Sequence, residues 1–67
     1  MERFFFHIHA NGRLIPDGEG MMFRDMESAL AELRASARDL SGQNDSVDMT
    51  DVEGNVISSM PASGPLH

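Results

Sequence analysis

The sequence predicts a small α+β domain: an antiparallel sheet of two hairpins, one helix packed on one face, in the order ββαββ. Three observations predict it. RFFFHIHANGRLI alternates like a strand, turns at Asn11-Gly12 and returns. Residues 26–40 repeat their apolar side chains at helical spacing. Residues 46–60 hold a second alternating pair around Gly54.

In the first hairpin, Phe4, Phe6, Ile8 and Ala10 share one face of a strand, and Phe5, His7 and His9 the other. Asn-Gly is the strongest short hairpin signal, because a type I′ turn needs positive φ at both central residues. A two-residue loop pairs Ala10 with Arg13, His9 with Leu14 and Ile8 with Ile15. Leu14 then joins the His7/His9 face. Pro16 has no N–H for a ladder, so the second strand is expected to be short or at an edge. Asp17 to Gly20 reads as a turn, and Met21 to Phe23 as a brief extended stretch.

Asp25 is the expected N-cap of the helix, accepting from an orphan N–H of its first turn. Met26, Leu30, Leu33, Ala37 and Leu40, widened by Ala29, form a one-sided apolar stripe. Ser41-Gly42 is expected to end the helix, with Gly42 in the left-handed conformation. In the closing hairpin, Gly54 suits the last position of a type I turn with a G1 bulge. That register puts Val47, Met49 and Ile57 on one face and pairs Thr50 with Val56. The domain is expected to span residues 1–60, with 61–67 as a flexible tail. The expected core is Phe4, Phe6, Ile8, Ile15, Met22 or Phe23, Met26, Leu30, Leu33, Ala37, Leu40, Val47, Met49 and Ile57. Pattern alone does not order the strands; the hairpins can pair through the first strand or the second.

Composition narrows the function classes. At 67 residues the core is small, because a chain near this length buries only roughly 60% of its unfolded surface. Cysteine is absent, which removes disulfides, thiolate metal sites and cysteine catalysis. The net charge is −6 and there is no lysine. Phosphate contacts dominate nucleic-acid affinity and need Lys and Arg, so no nucleic-acid partner is expected. No apolar run reaches membrane-spanning length, and Glu2, Arg3, His7 and His9 interrupt any signal-peptide core. A cytoplasmic protein with no membrane partner is the expectation.

The segments RFFFHI, NGRLIPDGEG, FRDMESALAELRASARDL and VDMTDVEGNVI together resemble a family of short proteins of unknown function from rhizobia and related alphaproteobacteria. The resemblance covers roughly residues 1 to 60. Its marks are an aromatic first strand ending in His, a D-x-x-G-x turn, an Asp-capped Ala-rich helix and a closing hairpin with a second D-x-x-G-x turn. It implies a bacterial protein with this element order. It carries no catalytic residues and no assigned activity.

Few residues carry chemistry. His7 and His9, two apart on a strand, lie ~6–7 Å from each other on one face. They are the candidate metal pair, but the register places no Asp or Glu beside them, and a polar strand face is the simpler reading. No metal site and no cofactor are therefore expected. Asp17 and Glu2 lie at the hairpin ends and approach only by fraying or a strand shift. Gly18-Glu19-Gly20 lacks the spacing of a phosphate loop. Asp45, Asp48, Asp51 and Glu53 miss the calcium-loop spacing and read as a solvated acidic edge. No serine has the context of a nucleophile.

One helix covers one face of a sheet. The other face carries Phe5, His7, His9 and Leu14, and contiguous apolar surface marks interaction sites. These four are the candidate partner-binding residues. The expected function is thus a non-enzymatic interaction module that self-associates as a homodimer or holds a protein partner through this face or a free edge. A second reading is metal or small-ligand binding through His7 and His9. A third is an antitoxin-like or regulatory partner protein, because the strand, turn and D-M-E-S-A-L helix resemble the antitoxin domains that cap small RNA-cutting toxins; this is fold-level analogy.

Overall fold

The computed structural model describes residues 1–65. Five strands and one helix follow in the order β1 (Glu2–Ala10), β2 (Arg13–Ile15), β3 (Met21–Phe23), α1 (Met26–Arg38), β4 (Ser46–Thr50) and β5 (Val56–Pro61). The fold is the α+β class expected, with the extended stretch at Met21–Phe23 added as a short third strand. All pairings are antiparallel. β1 is the spine of the sheet. β4 lies along one of its edges, with β5 outside it, while β2 and β3 share the other edge end to end.

The first hairpin has the expected register: Ile8, His9 and Ala10 face Ile15, Leu14 and Arg13. Asn11 and Gly12 both hold positive φ, at 55° and 74°, as a type I′ turn requires. β2 ends at Ile15, just before Pro16. The two hairpins join through β1 and β4, with Phe6 opposite Met49 and Ile8 opposite Val47.

The helix begins as its cap predicts. Asp25 is extended, and its carboxylate accepts the Ser28 N–H at 2.8 Å. The interior packs Phe4, Phe23, Ala29, Leu33, Ala37, Val47 and Met49, with Phe6, Ile8, Leu30, Leu40 and Met60 around them. The Phe23 ring meets Phe4 at 6.2 Å and stands edge-on to Phe6 at 5.8 Å. Tilted and edge-on contacts match the quadrupoles of aromatic rings.

Several expectations shift. The buried line of the helix is Ala29, Leu33 and Ala37; Met26 shares that face but sits in the first turn, at the stripe's N-terminal end, and is exposed. Small alanines on that line let the helix approach the sheet closely. Of Met22 and Phe23, it is Phe23 that is buried. Ile15 lies in the register expected but is exposed, because the helix packs over β3, β4 and β5 and not over β2. Gly54 has the expected positive φ, 87°, and Thr50 pairs with Val56. A bulge then shifts the ladder, so Met49 faces Ser58 and Val47 faces Met60. Strand side chains alternate with a period of two, so one extra residue exchanges the faces. Met60 packs on the core, and Ile57 is 40% exposed.

The end of the chain also differs. The helix stops at Arg38, with Asp39 as a right-handed C-cap, and Gly42 has no positive φ. Carbonyls at and after the helix end are paired from a distance. Ser63 donates to Ala37 O and Gly64 to Leu40 O, both at 2.8 Å, and Ala62 donates to Asp45 O at 2.9 Å. β5 runs to Pro61, so the expected boundary at residue 60 moves: residues 62–64 are tied to the domain. Ser63 adds a second donor to a helix carbonyl, while Gly64 and Ala62 pair carbonyls of the connector between α1 and β4. Of the expected tail, Leu66 and His67 lie outside the described residues.

Among the described residues, no helix is long and apolar enough to cross a membrane.

Candidate functional site

The helix-free face holds all four candidate residues, because the first hairpin has the register expected. Leu14 stands opposite His9 and is 56% exposed. At the other margin Val56, opposite Thr50, is 61% exposed. Phe5 is only half-buried, not open to water as its place on the uncovered face suggested. Its ring stacks on His7, with centroids 6.3 Å apart and planes 10° apart. Gly20 lies against it: a Cβ there would fall 2.9 Å from the Phe5 ring and 2.7 Å from Phe4 O. The chain's own β2–β3 connection therefore covers part of this face.

That connection is organised by Asp17. β2 and β3 leave a gap along β1, and Phe6 N–H points into it. The Asp17 carboxylate accepts this N–H at 3.2 Å. It also accepts Glu19 N–H at 3.2 Å and Gly20 N–H at 3.0 Å. Burial alone would raise the carboxyl's pKa. The N–H groups of Gly20, Phe6 and Glu19, with His7 nearby, outweigh that and hold it below the usual value. Asp17 thus reaches β1 without fraying, because the segment after Pro16 folds back along the strand edge.

His7 is held at both nitrogens. Asp17 N–H lies 3.0 Å from Nδ1, and Thr50 Oγ1 lies 3.0 Å from Nε2. A backbone N–H can only donate, so Nδ1 accepts and the ring proton sits on Nε2, donating to the buried Thr50 hydroxyl. His9 Nε2 meets Asp48 Oδ2 at 2.9 Å, and Ser59 donates to Asp48 Oδ1 at 2.6 Å. The Ser59 hydroxyl lowers the Asp48 pKa; burial opposes this, and His9 and His7 add to the lowering.

The arrangement limits the chemistry. In this row the carboxylate sits between the hydroxyl and the imidazole. The Ser59 proton points at Asp48, whose lowered pKa makes it a weak base, and His9 lies on the far side of the carboxylate, so the row does not have the serine–imidazole–carboxylate order of a nucleophilic relay. The two imidazoles spend their Nε2 atoms on Thr50 and Asp48. Among the described residues no three His, Asp or Glu side chains are arranged to hold a metal ion. No buried side-chain polar atom among them lacks a partner.

Asp17 and Asp48 were missed as neighbours of the histidines. Asp48 lies on an interior strand directly opposite His7, not on the solvated acidic edge its spacing suggests. Only the β1–β4 pairing, which residue patterns do not specify, brings it there.

A family model described as a domain of unknown function, DUF6894, matches residues 3–63. No curated protein and no solved structure matches the chain.

Proposed function

This chain belongs to the DUF6894 family, a domain of unknown function, and we propose that it is a non-enzymatic interaction module. It buries the helix-free face of its sheet against another protein chain, a second copy in the simplest case. The observation that carries this reading is the pair of open apolar side chains, Leu14 and Val56, at opposite margins of that face. Between them Phe5 keeps part of its ring in water. Leu14 and Val56 are already partly covered, so burying what remains is worth roughly 2–4 kcal/mol per chain before the costs of association. That is a large sum for a domain of this size, whose own stability is small. A bacterial, cytoplasmic setting accompanies the reading.

Sedimentation equilibrium of the wild type beside Leu14→Asp tests it. Leu14 is on the surface, so the variant folds. The expected result is a dimer that dissociates in the variant. A wild type that stays monomeric at millimolar concentration removes the second copy as occupant.

A further inference from the structure

A second surface lies at the other end of the molecule from the Asn11-Gly12 turn. An open groove of about 450 Å³ runs between the start of β1, the first turn of α1 and the β4–β5 turn. Its apolar lining includes Phe4, Met26, Val52 and Ile57. Met26, Val52 and Ile57 are all exposed, and each has a structural reason to be. Met26 lies in the first turn, at the N-terminal end of the helix stripe. Val52 sits in the β4–β5 turn. Ile57 is the residue that the bulge leaves unpaired, and bulges re-aim side chains in this way.

The rim of the groove is acidic. Glu2, Asp51 and Glu53 line it. Met1, with its α-amino group, and Arg3 line it as well, the Arg3 guanidinium donating to Glu19 O at 2.7 Å, so carboxylates outnumber cations three to two. Among the described residues the ion pair is His9 with Asp48, so Glu2 and Glu53 have no partner. Asp25 and Glu27 add negative charge at the adjoining helix start. The whole chain carries −6.

We propose that this groove docks a cationic amphipathic peptide segment of a partner protein. Two or three apolar side chains enter between Met26 and Ile57, and flanking Lys or Arg pair with Glu2 and Glu53. Charge complementarity selects this occupant. An anionic ligand meets three carboxylates. A second copy brings its own acidic rim against this one, because a two-fold contact sets like surface against like. The unbranched Met26 side chain adapts to varied apolar partners. This surface is separate from the helix-free face, so the two proposals stand or fall apart.

The test uses the full chain with labelled Met and Ile methyls. The probe is a Leu/Lys amphipathic helical peptide of about four turns, beside a Leu/Glu peptide of the same pattern. The Lys peptide is expected to shift the methyls of Met26 and Ile57 saturably and to leave buried Met49 unmoved. The Glu peptide is expected to leave them in place. In Glu2→Gln/Glu53→Gln, exposed carboxylates are removed without touching the core, and affinity falls about five-fold. Four results overturn the proposal: no saturable shift at millimolar peptide, equal binding of both peptides, shifts centred on Leu14 and Val56, or concentration-dependent Met26 shifts in the protein alone.

Discussion

His7 and Asp17 hold each other across the gap between β2 and β3. The Asp17 N–H donates to His7 Nδ1 at 3.0 Å, while the Asp17 carboxylate accepts the N–H of Phe6, the residue before His7, at 3.2 Å. The carboxylate thereby supplies the acceptor that a continuous edge strand would have offered Phe6 N–H, and the Asp17 N–H fixes the His7 ring. Asp17→Ala leaves Phe6 N–H, part-buried, without its acceptor. The expected loss is about 1–2 kcal/mol in chemical denaturation, with Asp17→Asn intermediate. A variant as stable as the wild type contradicts this role.

The same contact sets the tautomer of His7. Nitrogen-detected NMR of the neutral ring is expected to show the proton on Nε2 and an unprotonated Nδ1. Thr50→Val removes the acceptor for that proton and keeps the side chain's shape. It is expected to lower stability by about 1 kcal/mol. A proton found on Nδ1 contradicts the assignment.

Acid weakens the fold through its aspartates. The pKa values of Asp17, Asp25, Asp48 and Asp51 are all lowered in the folded chain. For Asp25 the first cause is the Ser28 N–H, and for Asp51 the Asn55 N–H. A depressed carboxyl stabilises the fold above its unfolded value, and the contribution disappears as pH falls through the folded value. Thermal midpoints are therefore expected to be flat above about pH 5 in these groups' contribution and to fall below about pH 4. Asp17→Asn should remove part of the slope. Midpoints that hold steady from about pH 5 to pH 2.5 contradict the linkage.

Two glycines with positive φ separate backbone strain from crowding. Gly12 has open space where a Cβ would go, whereas at Gly20 that atom would fall 2.7 Å from Phe4 O. Gly12→Ala bears the left-handed cost alone, about 1–2 kcal/mol. Gly20→Ala bears a similar strain and must also displace Phe5 or the β1 backbone. It is expected to exceed Gly12→Ala by at least ~1 kcal/mol in the same assay. Equal losses would mean that the Gly20 contact with β1 yields freely.

Residues 62–64 close the helix end, and Gly64 passes where a Cβ would lie 2.6 Å from Leu40 O. Hydrogen exchange is expected to show protected amides at Ser63 and Gly64, and Gly64→Ala to release both. Exchange at unfolded-chain rates in the wild type contradicts the docking.

Local signals were legible wherever the chemistry is local. Asn11-Gly12 set the first register, Asp25 set the helix start, and Gly54 set the closing turn, because each depends on φ angles and caps spanning a few residues. The bulge near Ile57 was not legible: no turn chemistry marks it, and it exchanged Ile57 for Met60 in the core. The site was half legible. Strand alternation placed Phe5, His7, His9 and Leu14 on one face. It gave no sight of Asp48, Thr50, Ser59 or Asp17 as their partners.

The amino-acid order by itself determined the main elements, the helix N-cap, the turns at Asn11-Gly12 and Gly54, and which side chains of the first hairpin share a face. Tertiary structure decided that β1 pairs with β4, that Asp17 bridges the broken edge, and that Ser63 and Gly64 finish the helix. The division has a physical cause. Turns and caps are settled by steric and hydrogen-bonding preferences between near neighbours. Strand partners and helix footprint are settled by which distant surfaces bury the most apolar area together, a property of the assembled chain.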